Sequence, residues 1–446
     1  MPIKPNLVSR SHVLGSYSRF PRKIIATQVN ESNKIKNYKF KVHKTNLLWG
    51  CFLMRVLALV PSFYGHTGDA VNERQLLMAL SKKVEKTYIV TFIGAKQVFT
   101  RRRRELREVE NLPQNMTIIP IPFPQIPTLL FRAMIIVVSC IVAIIALLLN
   151  IRNKIDLIYI RDSFLSIGFL TFRSLAHKTI VKVPAIIEDE IENEGFTKYL
   201  VKKVATIADR LVLAKAKKVA VNNRLCYNEL VRRRCFKHED RPLEIPPGVD
   251  LNLVKRVRGR MKDTFQQSVT NICFLGSLIW WQGIGILIQA VSLLKNKLPN
   301  LKLKFIGDGP LRPYVEKQCN LRGISYILTG FLPHEEALNH LAHCDVMVLP
   351  RIRMSSTETN IPIKIIEAWA LGVPVIATKH QVLLELGIKD RQHIIYCEPN
   401  STSVANAILE LLTNRSLKKV LKENGPKLAE RFNYQRIAER IIKSMM

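Results

Sequence analysis

The sequence predicts an α/β protein of two Rossmann-like domains facing a central cleft. Three observations carry this. Short apolar runs alternate with helical patterns along most of the 446 residues. The alternation falls into two series separated by a proline-rich turn. The length is too great for one domain and suits two. Strands that alternate with helices form parallel sheets with helices on both faces, and such sheets bind ligands beyond the carboxyl ends of their strands.

Residues 1–53 stand apart. They hold ten Lys or Arg against one acid, Glu31, without sustained periodicity. They read as a basic, disordered extension. Met54 opens "MRVLALVPSFYGHTGDAVNERQLLMALSKK", a buried strand over Val56 to Val60, a loop holding Gly65 and Gly68, and a helix from near Asp69. A first strand this close to Met54 raises the expectation that translation starts there. The runs "TYIVTFIG", "MTIIPIP", "DLIYIRD", "AIIEDE" and "ADRLVLA" complete a first domain over 54–245. The turn "EIPPGVDLNL" begins a hinge over 246–268. A second domain over 269–430 follows with "NICFLGSLIW", "LKLKFIGDG", "SYILTG", "DVMVLP" and "PVIAT", and 431–446 form a closing helix, "YQRIAERIIKSM".

One segment of the first domain is unusual. Ala133 to Leu149 is 17 residues without a charge. As a helix it reaches about 25 Å, short of a bilayer core of roughly 30 Å. Spanning would also put strands of one sheet on opposite sides of a membrane. The expectation is a membrane-associating helix over 129–151 that lies in the bilayer face, the alternative being burial against protein. Arg132, Arg152, Lys154 and the run Arg101 to Arg104 suit anionic headgroups.

The formal net charge is +33, so the expected partners are anionic. Nucleic acid is disfavoured, because the basic runs are not interleaved with stacking aromatics and no zinc-finger or RNA-recognition spacing occurs. The eight cysteines contain no CxxC pair and read as free thiols of a reducing compartment.

The stretch "ETNIPIKIIEAWALGVPVIAT" poses a chemical question. Pro362 suits the start of a helix, while Gly372 and Pro374 suit its end. Lys364 then falls in the first turn, where the macrodipole is positive and a cation is unfavourable. Either the side chain bends into water, or an anion belongs at that helix end.

Several pieces in order are similar to one family. They are "FYGHTGDAVNER", "IPPGVD", "FLGSLIWWQGIGILIQAV", "FIGDGPLRPYVE", "GFLPHEEALNHLAHCDVMVLP" and the stretch above. Over roughly residues 54–440 the chain resembles the GT-B glycosyltransferases of family four, which are retaining and use nucleotide-sugar donors. The resemblance implies an acceptor-binding first domain, a donor-binding second domain and no obligatory metal. It implies that Lys364 meets the phosphate or the transferred sugar, and that Glu367 accepts from the ribose diol. With Pro362 and Ile363, these form the donor-binding helix start. Gly276, Gly307 and Gly309 are implied as donor-binding, and Gly65 and Gly68 as loop glycines that allow close approach of the donor or acceptor, the alternative being an ordinary strand-to-helix turn. Glu358 matches a second family glutamate, one position off, since the expected place is Thr359. Ser277 and Gln282 occupy the places of the family's basic pair, so Arg351, Arg353 or Lys364 must supply that charge. The usual first-domain histidine is missing, with Glu188 and Asp189 there instead. Asp189 is the candidate to orient an acceptor hydroxyl, the alternative being a solvated acidic turn.

The expected function is transfer of a hexose from a nucleotide-diphosphate sugar to a lipid-linked or membrane-embedded acceptor at the cytoplasmic face of a membrane. A catalytically impaired partner subunit of the same fold is the alternative. A nucleic-acid-binding protein, suggested by the charge alone, is the third.

Overall fold

The computed structural model describes residues 52–61, 63, 68–94, 112–123, 128–183, 196–234, 242–260 and 269–446. Residues 50–446 form one compact unit. It holds two all-parallel sheets.

The first sheet is built from β1 (Phe52–Val60), β2 (Val84–Gly94), β3 (Met116–Phe123), β4 (Leu157–Arg161), β5 (Thr179–Val183), β6 (Lys218–Val221) and β7 (Leu243–Glu244). Their spatial order is β3-β2-β1-β4-β5-β6-β7. Its helices are α1 (Gly68–Ser81), α2 (Thr128–Asn153), α3 (Ser163–Thr171), α4 (Arg173–Ala176), α5 (Phe196–Lys215) and α6 (Arg224–Arg234). β1 starts two residues before Met54. Its run of apolar residues is buried on both faces. Val56, Ala58 and Val60 join one core with Leu76, Leu77 and Leu80 of α1, while Leu57 and Leu59 join another with Val142, Ala143 and Ala146 of α2. A strand covered on both sides has no polar face to alternate, which is why it reads as a continuous apolar stretch.

The second sheet contains β8 (Thr270–Leu275), β9 (Leu301–Ile306), β10 (Tyr326–Leu328), β11 (Val346–Leu349), β12 (Val375–Thr378) and β13 (Ile395–Cys397), in the order β10-β9-β8-β11-β12-β13. Its helices are α7 (Leu251–Gly259), α8 (Ile284–Leu294), α9 (Arg312–Leu321), α10 (His334–Ala342), α11 (Ser355–Thr359), α12 (Ile363–Leu371), α13 (Gln381–Glu385), α14 (Ser401–Thr413) and α15 (Arg415–Ala429). Within 246–268, α7 buries Leu253, Val254 and Val257 in the second core. The last helix, α16 (Tyr434–Lys443), returns to the first domain. There it buries Ile437, Ile441 and Ile442. Its Glu439 pairs with Lys83 at 2.7 Å, and the Tyr434 hydroxyl donates to Asn72 Oδ1 at 2.8 Å.

α2 is buried on one side only. One side packs on the domain through Ser139, Val142, Ala143 and Ala146. Ser139 Oγ bonds to the carbonyl of Leu165, and a Cβ on Gly168 of α3 would lie 2.5 Å from the Ser139 backbone. Small residues on both helices therefore permit a backbone-to-backbone crossing. The other side exposes Val137, Ile141, Ile144, Ile145, Leu148 and Ile151. Among the described residues no helix is long and apolar enough to cross a membrane.

The expectation of free thiols throughout is corrected. Cys273 of β8 and Cys344, just before β11, form a disulfide with Cα atoms 6.0 Å apart. They are 71 residues apart in sequence, and the pairing of β8 with β11 brings them together. Among the described residues Cys140, Cys226, Cys319 and Cys397 are free.

Candidate functional site

A cleft of about 870 Å³ lies between the carboxyl ends of the two sheets. This is where the strand orders reverse, between β1 and β4 on one side and between β8 and β11 on the other. The two walls nearly touch: a Cβ on Gly68 at the start of α1 would stand 3.6 Å from Ile363 Cγ2 at the start of α12. Asn223 Nδ2 donates to the carbonyl of Thr359 at 2.6 Å, and Asn222 Nδ2 to Asn360 Oδ1 at 3.2 Å.

The second-domain wall centres on α12. Its N-cap is Pro362, extended at φ −72° and ψ 121°, with no side-chain cap. The helix end is therefore open toward the cleft. Lys364 runs back under the end of β8. Its Nζ donates to Gln282 Oε1 at 3.3 Å and lies 5.0 Å from the centre of the Phe274 ring. A Cβ at Gly276 would fall 2.2 Å from that nitrogen, and Gly276 holds φ +124°. The φ favours glycine there, and a side chain would also have to displace the end of Lys364. Gly307, at φ +137°, approaches the Gly276 carbonyl so closely that its own Cβ would lie 2.3 Å from that oxygen.

Arg351 leaves the end of β11 and is buried. Its guanidinium lies 5.1 Å over the Trp281 ring, Nη1 donates to the Asn360 carbonyl at 3.3 Å, and Nε has no partner. Neither Arg351 nor Lys364 forms an ion pair among the described residues. Burial holds the Arg351 guanidinium down at about 10. Burial, with Arg351 nearby, pushes the Lys364 amine down to about 7, against an opposing pull from Glu367. Two desolvated cations thus share one end of the cleft. Glu367, also buried, is held by His334 Nε2 at 2.7 Å.

Lys364, Glu367, Pro362, Ile363, Gly276, Gly307 and Arg351 therefore line one cleft wall, together with Ser277 and Gln282. Others of the sequence candidates lie elsewhere. Gly309 is not part of the lining; a Cβ there would strike Leu278 N and O at 2.6 Å, so its role is packing. Glu358 is also outside the cleft. Its carboxylate accepts from Gln381 N at 2.6 Å and from His380 Nδ1 at 3.1 Å, which ties α11 to α13. Arg353 pairs with Glu398 at 2.9 Å on the surface. Gly68 lines the cleft, whereas Gly65, Glu188 and Asp189 lie outside the described residues.

The first-domain wall contains residues that sequence reasoning did not single out: Asn72, Arg74, Arg161, Asp162, Ser163 and Lys182. Two of them, Arg161 and Lys182, are held by Glu73, which is 1% exposed. It accepts from Lys182 Nζ at 2.8 Å and the Tyr159 hydroxyl at 2.9 Å, with Arg161 Nε at 3.3 Å. Burial alone would raise the Glu73 carboxyl, but Lys182 and Arg161 outweigh it and hold it below its usual value. A signal was present: single charges at the carboxyl ends of apolar strands, "LIYIR" and "TIVKV".

Residues 260–428 match the family model of glycosyl transferases group 1. An uncharacterized glycosyltransferase of Methanocaldococcus jannaschii is 28% identical over 164 residues, 36% of this chain and 44% of that protein. A GDP-mannose-dependent alpha-(1-6)-phosphatidylinositol monomannoside mannosyltransferase of Mycolicibacterium smegmatis is 26% identical over 179 residues, 38% of this chain and 47% of that protein. The chain thus spans under half the length of either relative. Among solved structures, sucrose-phosphate synthase from Thermosynechococcus elongatus superposes with a TM-score of 0.65 at 17% identity, covering 87% of this chain and 98% of that one. HepE of Anabaena, solved with UDP-glucose, gives 0.61 at 16% identity, over 87% and 98%. At such identities the likeness establishes the fold, which is GT-B.

Proposed function

We propose that the chain is a retaining glycosyltransferase that moves a hexose from a nucleotide-diphosphate sugar to a lipid-linked or membrane-embedded acceptor. The observation that carries this is the pair of desolvated cations, buried Arg351 and half-buried Lys364, at the open N-terminus of α12. A buried cation without a carboxylate is costly, and an anion at that place removes the cost. A diphosphate fits the helix end, the two cations and the glycines that allow close approach. In this reading Glu367, which His334 holds, accepts from the ribose diol.

The transfer breaks the bond between the sugar's C1 and the diphosphate oxygen, whose electron pair stays on the leaving diphosphate. Lys364, Arg351 and the α12 amide groups stabilise that charge as it grows. The acceptor hydroxyl oxygen bonds to C1 on the face the diphosphate leaves, and its proton passes to the departing phosphate oxygen. In this reading no metal is obligatory, because the chain supplies the charge itself. A solved protein of this fold carries UDP-glucose, and a relative of the matched segment is named for a lipid acceptor.

The membrane part of the proposal rests on α2. α5 also exposes Tyr199 and Ile207, with Lys203 and Arg210 exposed on the same helix. A helix with an exposed aliphatic side, on a domain that also exposes cations, suits the anionic, cytoplasmic side of a bilayer. The test is a panel of nucleotides and nucleotide sugars screened for thermal protection, followed by nucleotide release with and without EDTA. Protection by a nucleoside diphosphate and EDTA-insensitive turnover are expected. Protection without turnover of any sugar would indicate the impaired partner subunit, and no protection at all would overturn the proposal.

A further inference from the structure

The geometry points to Asp162 as the positioning residue for the acceptor: a carboxylate on the first-domain wall that receives the hydrogen bond of the attacking hydroxyl. The inference rests on the transferase reading above and adds to it the group that faces the second substrate.

Asp162 follows β4, the central strand of the first sheet, at its carboxyl end, and it lines the cleft. Its backbone holds φ +110°. A residue with a Cβ adopts this value only under strain, and strain of this kind is kept where its surroundings enforce it. The surroundings here are visible. The Asp162 N–H donates to the Lys182 carbonyl at 2.9 Å, on the neighbouring strand. Arg161 before it is clamped by Asp69 at 3.1 Å and by Glu73. Ser163 after it is bonded to the buried carboxylate of Asp209. The tripeptide is fixed on both sides, and its middle residue lines the space between the walls.

A simpler role exists. Asp162 immediately precedes α3 and could serve only as its N-cap. Capping explains the residue type. It does not explain the backbone, since an N-cap ordinarily sits in the extended region at negative φ. Nor does it require a place in the cleft. A carboxylate has only acceptor sites, so it suits a ligand that brings hydroxyl donors, as a sugar or polyol acceptor does.

The two readings separate by substitution. Asn caps a helix as well as Asp does but lacks the charge, and Gly adopts φ +110° freely at a small capping cost. Asp162→Asn and Asp162→Gly are compared with the wild type by calorimetric binding of UDP and GDP. They are compared also by transfer of labelled sugar, from whichever UDP-, GDP-, ADP- or dTDP-sugar the wild type uses, to vesicles of the source membranes' lipids. Both variants are expected to lose transfer at least tenfold, with a raised KM for vesicle lipid or a lowered kcat, while nucleotide affinity and the KM for the nucleotide sugar stay within twofold. Asp162→Gly is expected to melt at or above the wild-type temperature despite its lost activity. Transfer within twofold of wild type in either variant overturns the assignment, as does a parallel loss of nucleotide affinity. A wild-type chain that binds neither nucleotide and uses no sugar overturns the transferase reading, and this assignment with it.

Discussion

Replacing Lys364 by Met keeps the length of the side chain and removes the amine that Gln282 and the Phe274 ring surround. A charge-assisted hydrogen bond contributes about 1.5–3 kcal/mol, so UDP or GDP affinity is expected to fall roughly ten- to a hundredfold. The pH dependence is more diagnostic. In the empty cleft the amine is pushed down to about 7. Below that pH it is cationic and ready for a diphosphate. Above it, binding must first recover a proton, so wild-type affinity weakens by up to about tenfold per pH unit from 7 toward 9. Lys364→Met is expected to be flat over that range, apart from the nucleotide's own titration near pH 6. Stability responds in the opposite sense. A folded-state pKa below the unfolded value of about 10.4 means the unfolded chain binds more protons between pH 7 and 10, so this group's contribution to stability rises with pH there. The variant, freed of the buried charge, gains most over wild type at pH 7 and below, and the gain shrinks toward pH 10. Calorimetric titration with UDP and GDP from pH 6 to 9, alongside melting curves, tests all of this. A wild-type affinity that is level from pH 7 to 9, or a variant that binds within twofold of wild type, refutes the placement of this amine on the diphosphate.

Arg351→Met removes the guanidinium over Trp281, and diphosphate affinity is expected to fall at least tenfold. It should also move the Lys364 titration upward, because Arg351 is one of the groups holding it down; an unmoved midpoint in the same binding series counts against their proximity. Glu358→Gln is expected to cost about 1–2 kcal/mol of stability through its bonds to Gln381 and His380, with nucleotide affinity unchanged. A loss of affinity in that folded variant would return Glu358 to the donor site. Ile141→Ser, Ile144→Ser and Leu148→Ser together remove exposed aliphatic surface without touching the core. Binding to vesicles rich in anionic lipid, measured by co-sedimentation, is expected to drop at least tenfold, since burying each such side chain is worth roughly 1.5–3 kcal/mol. Undiminished binding would remove α2 from the membrane.

The features legible in the sequence were the local ones. Alternating strands and helices placed both sheets, and Pro362 and Gly372 bracketed α12 to within a residue. Lys364 stood out because its charge contradicts its place in the helix. Features that depend on residues distant in sequence were hidden. Glu73 and Lys182 meet across 109 positions, and no periodicity announces a charge buried by its partner. The Cys273–Cys344 bond depends on which strands become neighbours. α2 was obscure for a different reason. Its buried side is mostly small, with Ser139 against Gly168 and Ala143 and Ala146 beside Val142, while most of its larger aliphatics face outward. In an ordinary amphipathic helix the large apolar residues mark the core, so the usual reading of such a run has no purchase here.

The departure at Ser277 and Gln282 is the point where the family resemblance and the structure bear most directly on each other. Neither residue can neutralise a phosphate. Gln282 instead accepts from Lys364, so the place of one cation has become the holder of another. The second cation comes from the adjacent strand: Arg351 follows β11, which pairs with β8, and it rests on Trp281, the residue just before Gln282. The cations at the end of α12 come from that helix itself and from the loop after β11. A chain that had abandoned the chemistry would gain by losing both cations, because each is desolvated and neither has a carboxylate partner among the described residues. Their retention, at a standing cost to the empty protein, argues for a site that is regularly filled by an anion and against an inert copy of the fold.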